Sequence, residues 1–203
     1  MDHRKLTIAL AVAALLTVAV TTAGCTTNST PTATPIPGSE QTIGNNTIYT
    51  SAAGFNITYP KTLKTQTSDD AANQIRIYIY LAPNNTIDAV NVGTKDITAN
   101  DTLADWLTYN LNLVNNYPGF KTLSNQSTNV SGLDGYTVVW QGTVPVQVAT
   151  GSTNVQNTTL KVMQTFVINN NKGYVITYKA LPNDYDTYLP QAQQIINSFS
   201  FTS

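Results

Sequence analysis

Asp184 and Asp186 flank a single residue beside Asn183, and three oxygen-bearing side chains so close together could offer hard ligands to calcium. A calcium site gathers about six to eight oxygens, whereas "NDYD" supplies three side chains outside any EF-hand spacing. The competing reading puts both acids at the start of a helix, where they complement the backbone dipole. A second set is Arg76, Tyr78 and Tyr80, which alternate along "QIRIYIYLAP" and so share one face of a strand. Aromatic rings beside a guanidinium can stack on sugars or a partner's surface, or can simply pack beneath a helix. Asp69-Asp70 sits in a polar stretch and reads as solvated. The one histidine, His3, lies at the extreme N-terminus, so the rest of the chain lacks the imidazole of hydrolytic triads and of His-bearing zinc sites. Neither glycine-rich phosphate-cradling pattern occurs. Any catalysis would fall to carboxylates, Tyr, Lys or Ser, and nothing marks a glycosidase-like carboxylate pair.

The only cysteine, Cys25, follows a short basic segment at Arg4-Lys5 and an apolar run from Leu6 to Val20. That order is the order of an export signal, with small residues leading to the cleavage point. Thr22-Ala23-Gly24-Cys25 resembles the lipobox of exported lipoproteins at its last three positions and departs at the first, where Leu is usual. The motif implies a thioether lipid on Cys25, cleavage before it, and a membrane-held N-terminus. One alkyl chain binds a bilayer marginally and two hold firmly. Leu6 to Gly24 also approaches the roughly 20 residues that span a bilayer, so an uncleaved signal anchor is the alternative. In both readings Arg4 and Lys5 stay cytoplasmic and the body of the chain lies outside.

Charged residues make up 10% of the chain, far below the roughly 25% of ordinary soluble proteins. With a net charge of -1 there is no electrostatic reason to bind nucleic acid. Polarity comes from Asn, Thr, Ser and Gln, and glycosylation sequons begin at Asn28, Asn45, Asn56, Asn84, Asn100, Asn125, Asn129 and Asn157. Residues 25–46 carry Pro31, Pro35 and Pro37 and little to bury, and read as an extended tether. At about 3.1 Å per residue such a tether reaches roughly 60 Å. The organisation expected is a signal over 1–24, the tether over 25–46 and one domain over 47–203.

The elements that must position these residues follow from periodicity. "GFNITYP", "QIRIYIYLAP" and "AVNVGTKDI" alternate as half-buried strands. Leu103, Trp106, Leu107, Leu111 and Val114 recur at helical spacing, with Thr102 and Asp105 as a capping box and Pro118-Gly119 as the stop. Strands follow over Phe120–Val130 and in "YTVVWQGTV", where Tyr136, Val138 and Trp140 share a face. "LKVMQTFVIN" and "KGYVITYKA" form a hairpin. The chain closes with a helical face of Tyr188, Leu189, Ala192, Ile195, Ile196 and Phe199, with Pro190 in its first turn. Short connections make the sheet largely antiparallel, so the fold class is α+β with helices packed on the sheet.

This order resembles the PsbP family, including its bacterial and archaeal lipoprotein relatives. The resemblance rests on Gly54-Phe55-Asn56-Ile57-Thr58-Tyr59-Pro60, on Gly132-Leu133-Asp134-Gly135-Tyr136, and on Lys172-Gly173-Tyr174-Val175-Ile176-Thr177-Tyr178. Tyr188-Leu189-Pro190 and Ile195-Ile196-Asn197-Ser198-Phe199 complete it, over residues 47–201. Relatives often carry a Trp soon after the Tyr-Pro, where this chain has Lys61-Thr62-Leu63-Lys64. The resemblance implies an α/β/α sandwich and a binding or assembly role. Named relatives are extrinsic proteins of photosystem II that help retain calcium and chloride, and a distant one binds the Ran GTPase. Their proposed metal ligands include His, which this chain lacks after His3, so no site is carried over. The expected function is a non-catalytic, membrane-anchored surface module, held by a lipid at Cys25, without cofactor, binding a protein or small molecule. The alternatives are a small solute- or calcium-binding lipoprotein and a carboxylate-based hydrolase of surface polysaccharide.

Replacing Cys25 by Ser tests the anchor. The wild-type protein should lose residues 1–24 and gain lipid mass on Cys25, and Cys25→Ser should keep Met1 and gain none. Intact mass spectrometry distinguishes the two, whereas membrane fractionation does not, because the uncleaved variant still carries its apolar run.

Overall fold

The computed structural model describes residues 38–68, 74–83, 85–147 and 155–202. Four strands form one sheet in the order β1-β2-β3-β11: β1 (Ser39–Ile43), β2 (Asn46–Ser51), β3 (Phe55–Pro60) and β11 (Ser200–Phe201). Seven form the other: β4 (Lys64–Thr67), β5 (Ile75–Ala82), β6 (Asn85–Asp96), β7 (Lys121–Val130), β8 (Leu133–Gln147), β9 (Val155–Asn169) and β10 (Lys172–Ala180). Their order is β4-β5-β6-β10-β9-β8-β7, and the pairings described are antiparallel throughout. Helix α1 (Leu103–Val114) joins β6 to β7, and α2 (Pro182–Asn197) follows β10. Among the described residues no helix is long and apolar enough to cross a membrane.

The large sheet is covered on both faces, as expected for α+β. On one face Tyr174, Ile176 and Tyr178 of β10 join Ile77, Ile79, Val90 and Val92 in a core with Phe55 and Ile57 of β3 and Ala192 and Ile195 of α2. On the other, Val138, Trp140, Val162 and Phe166 pack with Trp106, and Leu103, Leu107, Leu111 and Val114 of α1 close over them. All five apolar positions expected on α1 are therefore in use. Its capping box is present as read: the Thr102 hydroxyl accepts from the Asp105 N–H at 3.2 Å, and the Asp105 carboxylate from the Thr102 N–H at 2.9 Å.

The expected hairpin turns through Asn170 and Asn171 at φ 50° and 58°, the left-handed pair that a tight two-residue connection demands. The structure differs from the sequence reading in several places. Strand β1 lies inside the segment assigned to the tether and is already part of the small sheet. A two-residue Gly44-Asn45 turn, with Gly44 at φ 63°, folds β1 onto β2, and Glu40 accepts from the Tyr59 hydroxyl at 2.7 Å. β8 and β9 each run 15 residues, longer than their apolar stretches, because their polar ends still pair with one another. Helix α2 starts at Pro182, which puts Pro190 in its interior and leaves Phe199 beyond its end. Proline at Pro182 needs no N–H partner, whereas Pro190 forgoes one bond inside the helix.

α1 is fastened by its indole. The Trp106 Nε1–H donates to the Tyr174 carbonyl at 3.0 Å, and the ring lies flat over Gly173. A Cβ at residue 173 would meet the indole at 2.6 Å. Gly173→Ala should therefore destabilise the fold by about 1–3 kcal/mol, the usual cost of overpacking. Urea unfolding followed by indole fluorescence measures it, and an unchanged midpoint would show that α1 can lift off β10 freely.

Candidate functional site

The large sheet is wider than the layer on its α2 side. Past α2, the faces of β7, β8 and β9 form one wall of an open cleft of about 230 Å³. One row crosses the strands in register: Gln126 opposite Thr137, Thr137 opposite Thr165, and Thr165 opposite Ile176. The facing wall is the C-terminal part of α2, through Gln193, Ile196 and Asn197, followed by Phe199. That end of α2 is pinned by Ser198, whose hydroxyl accepts from the Thr58 N–H at 2.8 Å and donates to a backbone carbonyl. Met163, Ile176 and Phe199 give the cleft an apolar floor.

The lining consists of amide, hydroxyl and apolar side chains, with no ionisable group. Thr137 and Thr165 share a hydroxyl–hydroxyl hydrogen bond of 3.0 Å. Asn129 accepts from the Gly132 N–H. Such a surface can donate, accept and exclude water, and it has no group that takes up or releases a proton near neutral pH. Sequence reading missed it. The available signal was the run "QAQQIIN" in α2, a helix half with amides on its outer face and no charge.

The residues singled out beforehand lie elsewhere and are not brought together. Asp184 sits in the first turn of α2, as the dipole reading supposes. Asp186 pairs with Lys161 at 3.3 Å and is largely exposed. Two residues apart on a helix, the two side chains point away from each other. Among the described residues no three His, Cys, Asp or Glu side chains converge. Cys25 and the Asp69-Asp70 pair lie outside the described residues.

Tyr78 and Tyr80 share the face of the sheet opposite the cleft. The irregularity in β5 between Ile75 and Ile77 turns Arg76 toward Thr94, the register partner of Tyr174 in the cleft-side core, so the three do not form one surface. The two tyrosine rings stack with centroids 6.1 Å apart and planes 3° from parallel. Arg76 Nε donates to the Thr94 hydroxyl at 2.9 Å, and the Tyr80 hydroxyl to Gln66 at 3.1 Å. The Lys179 ammonium lies 5.5 Å from the Tyr78 ring centre. All three residues are half-buried, and α1 lies chiefly over β8 and β9 rather than above them. Burial pushes Lys179 down, against the opposing pull of Asp88. Asp88 is itself buried, and burial raises its carboxyl although the Leu181 N–H, at 3.0 Å, stabilises the charge. α2 has no cap from its own side chains, and Asp88 supplies that acceptor from β6. The signal for Asp88 was an acid inside the apolar run "TIDAV".

No family model matches the chain, and no curated protein matches it in sequence. Among solved structures it is similar to the solution structure of cyanobacterial PsbP (CyanoP) from Synechocystis sp. PCC 6803. That match has 14% identity and a TM-score of 0.55, over 79% of this chain and 94% of that one. The LpqN protein involved in cell envelope biogenesis of Mycobacterium tuberculosis matches at 13% identity and TM-score 0.47, over 73% and 83% of the two chains. The Ran-binding protein Mog1p of Saccharomyces cerevisiae matches at 10% and 0.46, over 74% and 91%. The CyanoP likeness establishes a PsbP-like fold, and at such identities it speaks for the fold alone.

Burial, as the largest cause, raises several tyrosines. Tyr78, Tyr174 and Tyr185 are pushed up to about 12, with smaller contributions from Tyr80, Asp96 and Asp186 respectively, and Tyr59 and Tyr178 rise further. In the unfolded chain a phenol ionises near 10, so the folded state holds these protons while the unfolded state releases them. Stability should hold up to about pH 10 and fall as pH climbs toward about 12. Thermal melts by circular dichroism read the slope, and Tyr78→Phe should make it shallower. An unchanged slope would mean that Tyr78 ionises as freely in the fold as outside it.

Proposed function

We propose that this chain is a divergent PsbP-like lipoprotein that binds rather than catalyses. It is carried on the outer face of the cell membrane by a lipid on Cys25 and a Thr/Pro-rich tether. The observation that carries the reading is the chemistry of the α2 cleft: every polar side chain in its lining is a neutral amide or hydroxyl. These groups recognise a ligand by hydrogen bonding and packing, and they supply neither a nucleophile activated by a base nor a paired acid and base. The basic-then-apolar N-terminus, the lipobox-like "TAGC" and the proline-rich segment support the placement. The motifs that resemble those of the PsbP family, together with the PsbP-like fold, support the kinship.

Gln193→Trp gives the test. Gln193 is exposed on the outer flank of α2, so an indole there fills the cleft without disturbing the strand ladder. Tagged wild-type protein, crosslinked in native membranes and then solubilised, should bring down a molecule that the Gln193→Trp variant loses, at equal melting temperature and equal membrane content. Equal recovery by both, or none by either, would sink the reading.

A further inference from the structure

We infer that the cleft between α2 and β7–β9 holds a sugar ring of a neutral glycan. This deepens the binding function proposed above and rests on it. The first argument is charge. None of the cleft's lining residues is ionisable. β7 after Lys121 and α2 from Pro190 to Asn197 are likewise uncharged. An ionic ligand would give up hydration for surroundings that offer no counter-charge.

The second argument is hydrogen-bond type. Gln126 and Thr128 on β7 face Gln193 and Asn197 on α2 across the gap. No hydrogen bond formed by these four side chains is found among the described residues. Amides and hydroxyls each both donate and accept, which is what the hydroxyls around a sugar ring do. An apolar ligand would leave these groups dry and unpaired, each at a cost of about 1–3 kcal/mol. The Thr137–Thr165 pair shares one bond, leaving one hydroxyl proton and several lone pairs for a ligand. Under this rim, Met163 and Ile176 present the apolar surface that the C–H face of a sugar ring covers.

The third argument is backbone accounting. An extended peptide binds best to an unpaired strand edge, where its own N–H and C=O groups complete a ladder. In the cleft wall β8 pairs with both β7 and β9, and β9 also with β10. β7 is the edge strand, and its free N–H and C=O groups point outward in the plane of the sheet, not from the face that lines the cleft. On the cleft face only side chains are on offer. The volume of 230 Å³ is about seven or eight waters' share of liquid, room for a ring rather than a long chain.

The test uses the full-length protein, 15N-labelled, in micelles of a detergent without a sugar headgroup. Trisaccharides of glucose, mannose, galactose and N-acetylglucosamine are titrated separately, beside a neutral Gly/Ser hexapeptide and a galacturonic acid trimer. At least one neutral sugar should give saturable shifts confined to the amides of Thr137, Thr165, Gln193 and Asn197, with a millimolar dissociation constant. Gln193→Leu and Asn197→Leu should each weaken it about three- to ten-fold, the worth of one neutral hydrogen bond. A purified polymer of the same sugar, added as a competitor, then distinguishes the two sources: tighter binding than the trisaccharide identifies a surface polysaccharide, and equal binding a free oligosaccharide. Cleft shifts from the hexapeptide or the acidic trimer alone, or from no probe, overturn the glycan assignment. If Gln193→Trp still abolishes capture in membranes while every sugar fails, the binding function stands and only the ligand class falls.

Discussion

Strand β10 is the constraint on which every layer of this fold depends. It is central in the large sheet, paired antiparallel with β6 on one side and β9 on the other. Its alternation also fastens the covering layers. The Tyr174 carbonyl takes the Trp106 indole N–H of α1, and the Tyr174 hydroxyl reaches through the opposite core to the Ala53 carbonyl beside the small sheet. Four residues on, at the same face, the Tyr178 hydroxyl donates at 2.7 Å to the Tyr185 carbonyl in α2. A one-residue slip of β10 would exchange the faces and break all three bonds together. The strand thus sets not only its own register but the seats of α1, α2 and the small sheet.

That dependence explains what the sequence made readable. "KGYVITYKA" alternates large apolar residues against small or polar ones, so its nature as a strand and its hairpin partner were legible from period alone. The same holds for α1, whose apolar stripe, capping box and Pro-Gly stop agree with one another. The position of β10 at the centre was not legible. It follows from the non-local β6–β10 pairing, across some eighty residues, and no local pattern announces a partner so far away. Why Gly173 is glycine was hidden for the same reason. Nothing within "NKGYV" hints that an indole from residue 106 occupies the space of its missing side chain.

Other misses have a common cause in weak amphipathic signals. β1 and β4 are short edge strands with mostly exposed residues, "SEQTI" and "KTQT", and their polar composition looks like linker. They exist because their backbones find ladders on β2 and β5, which composition does not report. The acids at 184 and 186 could be read only as a choice between ligand and helix start, and the α2 geometry sends one toward the dipole and the other toward Lys161. Cleft residues such as Gln126, Gln193 and Thr137 drew no attention in a chain full of Asn, Gln, Ser and Thr, since nothing local distinguishes a lining amide from a solvated one.

The cleft itself is a consequence of unequal widths. Seven strands at about 4.8 Å spacing make a sheet roughly 29 Å across, while a helix covers only about 10–12 Å. On the face away from α1, α2 and the small sheet share the covering of β5, β6, β10 and β9. β7 and β8 extend beyond that cover. Apolar residues in this wing would expose a large hydrophobic patch, and charged ones would have to be desolvated where α2 overhangs. Neutral hydroxyls and amides avoid both costs, and the row Gln126–Thr137–Thr165 before Ile176 grades from wet to dry as the overhang deepens. A chain with few charges that extends its sheet past its helix therefore acquires an uncharged, half-sheltered groove. The same constraint that keeps the overhang stable gives it the capacity to recognise a neutral polar ligand.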